Sequence, residues 1–173
     1  MSNEWLNFEE VKVHVPAGRR LFRASAPNYD RTVGDSSQNL TQTAVDFLQS
    51  KGITRIISFT KIKYSQAEIA RATAAGISYH HLPVEDFTAA TPEQLQSAFR
   101  LLNDTPNTST LVHCGFGRGR TGTCVTAIQL YATEGASPAE STWQTVNHVE
   151  TDAQVEVLKQ VRDSLRARVH EEL

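Results

Sequence analysis

Apolar residues along this chain follow two rhythms, and the switches between them predict its elements. Val11, Val13 and Val15 alternate with polar residues as a half-buried strand does, Pro16-Ala17-Gly18 turns the chain, and residues 20–24 return as a second strand. A polar loop follows over 29–39. Thr41 opens a helix to Ser50 or Lys51 that Gly52 ends, and the β-branched run 54–58 reads as a buried parallel strand. A helix over about 65–75, closed by Gly76, leads to a strand over 77–82. Thr91, Pro92 and Gln94 make a strong helix start. The threonine caps the first turn, proline suits the first helical position, and the glutamine three residues on caps back. Thr110, Leu111 and Val112 suit another buried strand, and residues 121–131 carry apolar groups at helical spacing. Two last helices are expected, from Pro138 to about 149 and from Asp152 to about 170.

Strands alternating with helices over short links predict an α/β fold: a single domain with a central, mostly parallel sheet of about five strands flanked by helices. Ligands in such sheets sit beyond the carboxyl ends of the strands. Three loops qualify, at 59–64, at 83–90 and after the 110–112 strand. The length of 173 residues suits one domain with a real core. Residues 1–10, polar with two aromatics, are set apart as an N-terminal arm before a domain spanning 11–173.

Composition narrows the function classes. An apolar fraction of 39% and a charged fraction of 21% are those of an ordinary globular protein. The net charge of −2 argues against general nucleic-acid or membrane-surface binding, so any attraction for anions must be local. No apolar run approaches the roughly 18 residues of a membrane span, and the first residues lack the basic-then-apolar pattern of a signal peptide. The expected location is cytoplasmic, although export by a signal-less route would leave the same pattern. Two cysteines ten positions apart form neither a disulfide framework nor a metal-ligand set.

The loop after the 110–112 strand changes the picture most. His113-Cys114-Gly115-Phe116-Gly117-Arg118-Gly119-Arg120-Thr121-Gly122 places a thiol, two guanidinium groups and four glycines between a strand and a helix start. Glycine lets backbone N–H groups converge on one point, and converging N–H groups at a helix N-terminus bind an anion. The same placement favours the thiolate of Cys114, a nucleophile at neutral pH. Arg120, on the first helical turn, offers a planar fork to two phosphate oxygens. Gly117-x-Gly119-x-x-Gly122 also meets the dinucleotide-binding spacing, but the acidic residue about 20 positions on, ending a second strand, has no place in a continuing helix. A nucleotide P-loop needs a lysine where this chain has Arg120. A glycine-rich turn around an incidental buried cysteine is the plain structural alternative. Cys124 reads as a small buried apolar residue.

Cys114, five residues, Arg120 and Thr121, preceded by His113, resembles the signature loop of the cysteine-dependent protein tyrosine and dual-specificity phosphatases. Gly117 and Gly122 fit the same pattern. The stretch Leu21-Phe22-Arg23-Ala24-Ser25-Ala26-Pro27 is similar to a segment near the start of these enzymes. A looser likeness runs from about 21 to 165 and is nearest to the small atypical dual-specificity members.

The resemblance implies a metal-independent phosphatase without a cofactor. Cys114 attacks phosphorus to form a phosphocysteine, and Arg120 with Gly115, Phe116, Gly117, Arg118 and Gly119 holds the phosphate. A loop carboxylic acid must protonate the leaving oxygen; Asp86 fits best, with Glu85 as the alternative. Thr121 would donate its hydroxyl to the sulfur and help it depart. His113 would brace the loop backbone. Gln154 falls where some members hold a water-orienting glutamine, with an exposed helical glutamine as the other reading. Lys61 or Lys63 would add charge near the loop unless they are simply solvated lysines, and His148 reads as a surface residue.

The implied partner is a phosphorylated protein or a small phosphate ester, with phosphotyrosine preferred and phosphoserine and phosphothreonine tolerated. Arg118, where lipid and inositol phosphatases of the superfamily often have a basic residue, keeps a phosphoinositide, inositol phosphate or RNA 5′-triphosphate substrate open. A phosphate-binding module without turnover is the alternative of another class. A sulfurtransferase or arsenate reductase fits the Arg-Thr-Gly ending poorly. A protective disulfide between Cys114 and Cys124 also stays open.

Overall fold

A computed structural model describes residues 4–172. Five strands form one sheet in the order β1-β2-β5-β3-β4: β1 (Glu9–Val11), β2 (Arg19–Ala24), β3 (Arg55–Ser58), β4 (Ser78–His81) and β5 (Thr108–His113). Only the β1–β2 pair is antiparallel; β2, β5, β3 and β4 run parallel. The helices are α1 (Gln42–Ser50), α2 (Gln66–Ala74), α3 (Pro92–Asn103), α4 (Gly119–Ala132), α5 (Glu140–Trp143) and α6 (Asp152–Glu171). The single-domain α/β fold with a mostly parallel sheet is the one the patterning predicts.

Successive strand residues point to opposite faces, and the chain uses both. Phe22, Leu111 and Ile56, in register across β2, β5 and β3, pack with Leu40, Val45 and Leu48 in the core beneath α1 and α2. Leu21, Val112 and Ile57 face the other core, under α3, α4 and α6, with Leu95, Leu102, Ile128 and Leu158. Burial on both faces explains why β3 and β5 read as continuous apolar runs rather than alternating ones. Trp5 is buried in the α1–α2 core, and its Nε1–H donates to the Ala44 carbonyl at 3.1 Å.

Three helices start on capping boxes, at Ser65, Thr91 and Thr151. The predicted α3 start at Thr91-Pro92-Gln94 holds in full. Helix α4 is buried from Gly119 to Leu130, so it runs through the centre of its layer.

Two expectations need correction. The first strand is Glu9–Val11 rather than 11–15, because His14 takes a left-handed φ of 57° that breaks an extended run. The helix expected from Pro138 to about 149 shrinks to α5. His148 has φ 66°, which no helix tolerates, and Asn147 is drawn inward, donating to Thr126 Oγ1 at 2.8 Å and Gln129 Oε1 at 2.7 Å. Residues 144–150 therefore pass over the start of α4 instead of coiling. Gly122 makes this approach possible, since a Cβ there would collide with the Asn147 carbonyl.

Candidate active site

Ala24, His113 and Ser58 lie in register across β2, β5 and β3, and Ser58 pairs with His81 of β4. Four parallel strands thus end at one edge of the sheet. The loops that follow them, carrying Asp35, Cys114, Lys61 and Asp86, meet beyond it.

The loop after β5 is shaped by where its carbonyls go. Cys114 O accepts from His113 Nδ1 at 2.9 Å, Gly115 O from the Ala26 amide at 2.7 Å and Phe116 O from Asn7 Nδ2 at 2.9 Å. Gly117 O accepts from Arg23 Nη2 at 3.2 Å, and Arg118 O from the Gly122 amide. With five consecutive carbonyls held outside, the amides turn inward. The Gly117 N–H points at Cys114 Sγ at 3.3 Å, and among the described residues the Gly115, Phe116 and Arg118 amides donate to no protein group. Gly117 is required here: its φ is 89°, and a Cβ would come within 2.6 Å of the Ala24 and Ser25 backbone. The result is a nest of donors around a sulfur.

His113 is fully buried, and burial pushes its pKa down to about 4, only partly opposed by its bond to the Cys114 carbonyl. The ring is therefore neutral. Nδ1 must carry the proton to meet that carbonyl, so Nε2 accepts from the Tyr64 hydroxyl at 2.7 Å. Tyr64 is itself stacked on Tyr79, with ring centroids 4.3 Å apart.

Arg120 is nearly as deep, its side chain 2% exposed. Its Nη1 donates to Asp35 Oδ2 at 2.7 Å and to the Val84 carbonyl at 2.8 Å, and its Nη2 donates to Asp35 Oδ1 at 2.8 Å. Those bonds consume the outer end of the fork. Nε and the second Nη2 hydrogen, which form the side edge of the guanidinium, are left for an oxyanion. Asp86 stands at that edge, Oδ1 3.3 Å from Nη2, with its carboxylate half exposed. Burial lowers the Arg120 pKa, but the Asp35 bond outweighs it and holds the fork charged.

Residues 31–173 match the family described as PTP-SAK, Swiss Army Knife protein, DSP-PTPase phosphatase domain. The chain belongs to this family. It is an atypical dual-specificity phosphatase-like member of the cysteine-dependent protein tyrosine phosphatase superfamily, and a cysteine-dependent phosphatase. No curated protein sequence matches it.

Solved structures share the phosphatase fold. A kinase associated phosphatase with its catalytic-site cysteine changed to serine is 21% identical, with a TM-score of 0.72 over 96% of this chain and 99% of that one. PTPMT1 in complex with PI(5)P is 16% identical, with a TM-score of 0.67 over 94% and 98%. The core catalytic domain of the PP-IP phosphatase SIW14 from S. cerevisiae, in complex with citrate, is 15% identical, with a TM-score of 0.65 over 96% and 91%.

Around the phosphatase loop, several sequence-predicted residues sit differently from expectation. The Gly119 amide is not open; it donates to Glu150 Oε1 at 2.7 Å. Thr121 Oγ1 is buried with no hydrogen-bond partner among the described residues, so the expected donation to sulfur is not made in this arrangement. The Lys61 side chain turns outward to Glu85 at 3.3 Å, while its backbone amide donates to Asp35 Oδ2 at 2.9 Å. Lys63 is exposed.

Arg118 bonds sideways, its Nη1 donating to His148 Nδ1 at 3.1 Å; His148 is half-buried rather than a plain surface residue. Gln154 is buried, not exposed. Its Oε1 accepts from the Glu150 and Thr151 amides, and its Nε2 donates to the Thr88 carbonyl at 3.2 Å, which ties α6 to the Asp86 loop. Both cysteines are free thiols, and burial pushes the Cys124 pKa far up, keeping it protonated.

Sequence reasoning missed Asp35, Tyr29 and Arg31. They belong to the loop after β2, which counted as a plain connection as long as β2 was read only as the return of a hairpin. Tyr29 and Arg31 flank Phe116, the Tyr29 ring centroid at 6.3 Å and the Arg31 guanidinium 4.3 Å above the ring. Glu150, the partner of Gly119, was also missed. The signal available was an acidic residue just before the Thr151 cap.

Among the described residues no group of His, Cys, Asp and Glu is arranged to hold a metal ion, and no helix is long and apolar enough to cross a membrane.

Proposed function

We propose that the protein hydrolyses phosphate monoesters through a phosphocysteine on Cys114, without a metal ion. The observation that carries this reading is the inward set of loop amides around Sγ together with the free edge of Arg120 beside Asp86. The thiolate attacks phosphorus in line, forming the S–P bond as the P–O bond to the leaving group breaks. The Gly115, Phe116 and Arg118 amides and the Arg120 edge hold the equatorial oxygens. Asp86, protonated, gives its proton to the leaving oxygen; as a carboxylate it then takes one from the water that cleaves the S–P bond. Thr121, with a buried unpartnered hydroxyl, can donate to the departing sulfur. Asp35 positions Arg120, while His113 and Gln154 hold the loop and the acid-bearing segment.

For substrate, the reading is phosphotyrosine with phosphoserine and phosphothreonine tolerated. Tyr29 and Phe116 supply aromatic walls next to the loop. A second reading, an inositol phosphate or phosphoinositide, is favoured by Arg31 and Arg118, both placed over the Phe116 ring. Two of the structural neighbours, a PI(5)P complex and a PP-IP phosphatase, lie in that direction.

The test is phosphate release, with chelator and reductant present, from phosphotyrosine and phosphoserine peptides and soluble phosphoinositides. Turnover by the wild type that disappears in Cys114→Ser supports the mechanism, and the preferred ester chooses between the substrates. Turnover that requires an added metal ion, or that survives in Cys114→Ser, overturns it.

A further inference from the structure

Next to the loop, on the side its carbonyls face, is a cavity of about 160 Å³ that takes no part in the proposed reaction. Its walls include Asn7, Glu9 of β1, Arg23 of β2, Arg118, His148 and the Gly117 backbone. Asn7, Glu9 and Arg23 lie outside the residues 31–173 matched to the phosphatase family. A water's share of liquid volume is about 30 Å³, so the cavity has room for a tetrahedral oxyanion.

Its charges are out of balance. The Arg23 side chain is 2% exposed, yet its one hydrogen bond among the described residues is from Nη2 to the Gly117 carbonyl at 3.2 Å. Its Nε lies 3.9 Å from Glu9 Oε1, past hydrogen-bond reach. Among the described residues Nε and Nη1 donate to no protein group, and Arg23 lines the cavity. Arg118 adds a second guanidinium, hydrogen-bonded to the neutral partner His148. Burial first, and then the two arginines, hold the His148 pKa below its ordinary value. Glu9, 59% exposed, is the one carboxylate on the walls among the described residues. A buried guanidinium with a single hydrogen bond is costly until an anion completes its donors.

We infer that this cavity is a second anion site, which holds a phosphate group between the Arg23 and Arg118 guanidiniums, apart from the Cys114 nest. Planar forks match phosphate oxygens two at a time. The group comes either on a substrate that carries two phosphates or as a free anion. In either case it is coupled to the reaction site through Gly117, whose carbonyl is on Arg23 and whose amide is on Cys114 Sγ.

The experiment is calorimetric titration of wild type, Glu9→Gln and His148→Glu with inorganic phosphate. Two phosphates are expected to bind wild type, one in the nest and one in the cavity. In His148→Glu, where a new carboxylate neutralises Arg118, the second is expected to bind at least about tenfold more weakly; in Glu9→Gln it tightens, and the first is unchanged in both. A single site in all three proteins, or a second site that neither variant alters, overturns the inference.

Turnover separates the two sources. A substrate-borne second phosphate makes His148→Glu raise KM for an inositol bisphosphate but not for 4-nitrophenyl phosphate. A free anion makes added sulfate change 4-nitrophenyl phosphate turnover in wild type beyond simple competition at the nest, and by that competition alone in His148→Glu. The titration needs no catalysis, so a protein without turnover that still shows the His148-dependent site would overturn the proposed reaction and leave this inference standing.

Discussion

Asp35 grips Arg120 with both carboxylate oxygens, at 2.7 and 2.8 Å, across 85 residues of sequence. Burial pushes the Asp35 pKa up, but the Arg120 fork and the Lys61 amide more than offset this and hold it below the usual carboxylate range. The pair fixes which edge of the guanidinium is left for substrate. Asp35→Asn removes the charge and one acceptor while the Arg120 charge stays buried, so a loss of about 3–5 kcal/mol in unfolding free energy is expected in a urea titration. Orthovanadate, an anion for the free edge, should recover part of it. A variant as stable as wild type would remove Asp35 from this role.

In the proposed reaction Asp86 transfers a proton rather than binding phosphate. Asp86→Asn is expected to lower kcat by about 10²–10⁴ on an alkyl phosphate and far less on 4-nitrophenyl phosphate, whose leaving group needs no proton. KM should stay near the wild-type value for both. Equal losses on the two esters would show that Asp86 positions the loop rather than donating a proton.

His113 makes the fold sensitive to acid. Its pKa falls from 6.5 when exposed to about 4 in the folded protein, so the unfolded chain binds a proton over that interval and the folded one does not. Stability from this group is complete above pH 6.5, declines as the pH falls towards 4, and levels off below. The total is about 3 kcal/mol. Asp35, with its lowered pKa, contributes a further loss at still lower pH. Thermal melts from pH 7 to 4 should show the decline, and His113→Asn, although less stable at pH 7, should show a flatter profile. An equal slope in both proteins would contradict the assignment.

Gly122 carries the approach of residues 147–149 to α4. Gly122→Ala should cost about 1–3 kcal/mol through overpacking. It should also shift the Glu150 carboxylate off the Gly119 amide, read as a change in that amide's NMR shift. An unchanged shift would mean that residues 147–149 adapt without moving Glu150.

The elements and the reacting loop were legible in the sequence because their causes are local. Apolar period separates strand from helix, Thr91-Pro92-Gln94 starts α3 by its own side chains, and the thiol, glycines and arginine of 113–122 are contiguous. The helix after Pro138 misled for the opposite reason. Its local pattern permits a helix to 149, but Asn147 gains more from Thr126 and Gln129 on α4, contacts that no window of sequence contains.

What the sequence by itself determined is therefore the α/β class, most element positions and the contiguous make-up of one loop. Tertiary structure alone decided which other residues meet that loop. Asp35 joins Arg120 because β2 lies parallel beside β5 and the two strands end together at Ala24 and His113. Arg118 turns to His148, and Lys61 turns away to Glu85, because chain segments distant in sequence offer them partners there. Hydrogen bonds and ion pairs form between groups that are near in space, and strand order, which no local propensity encodes, sets that nearness.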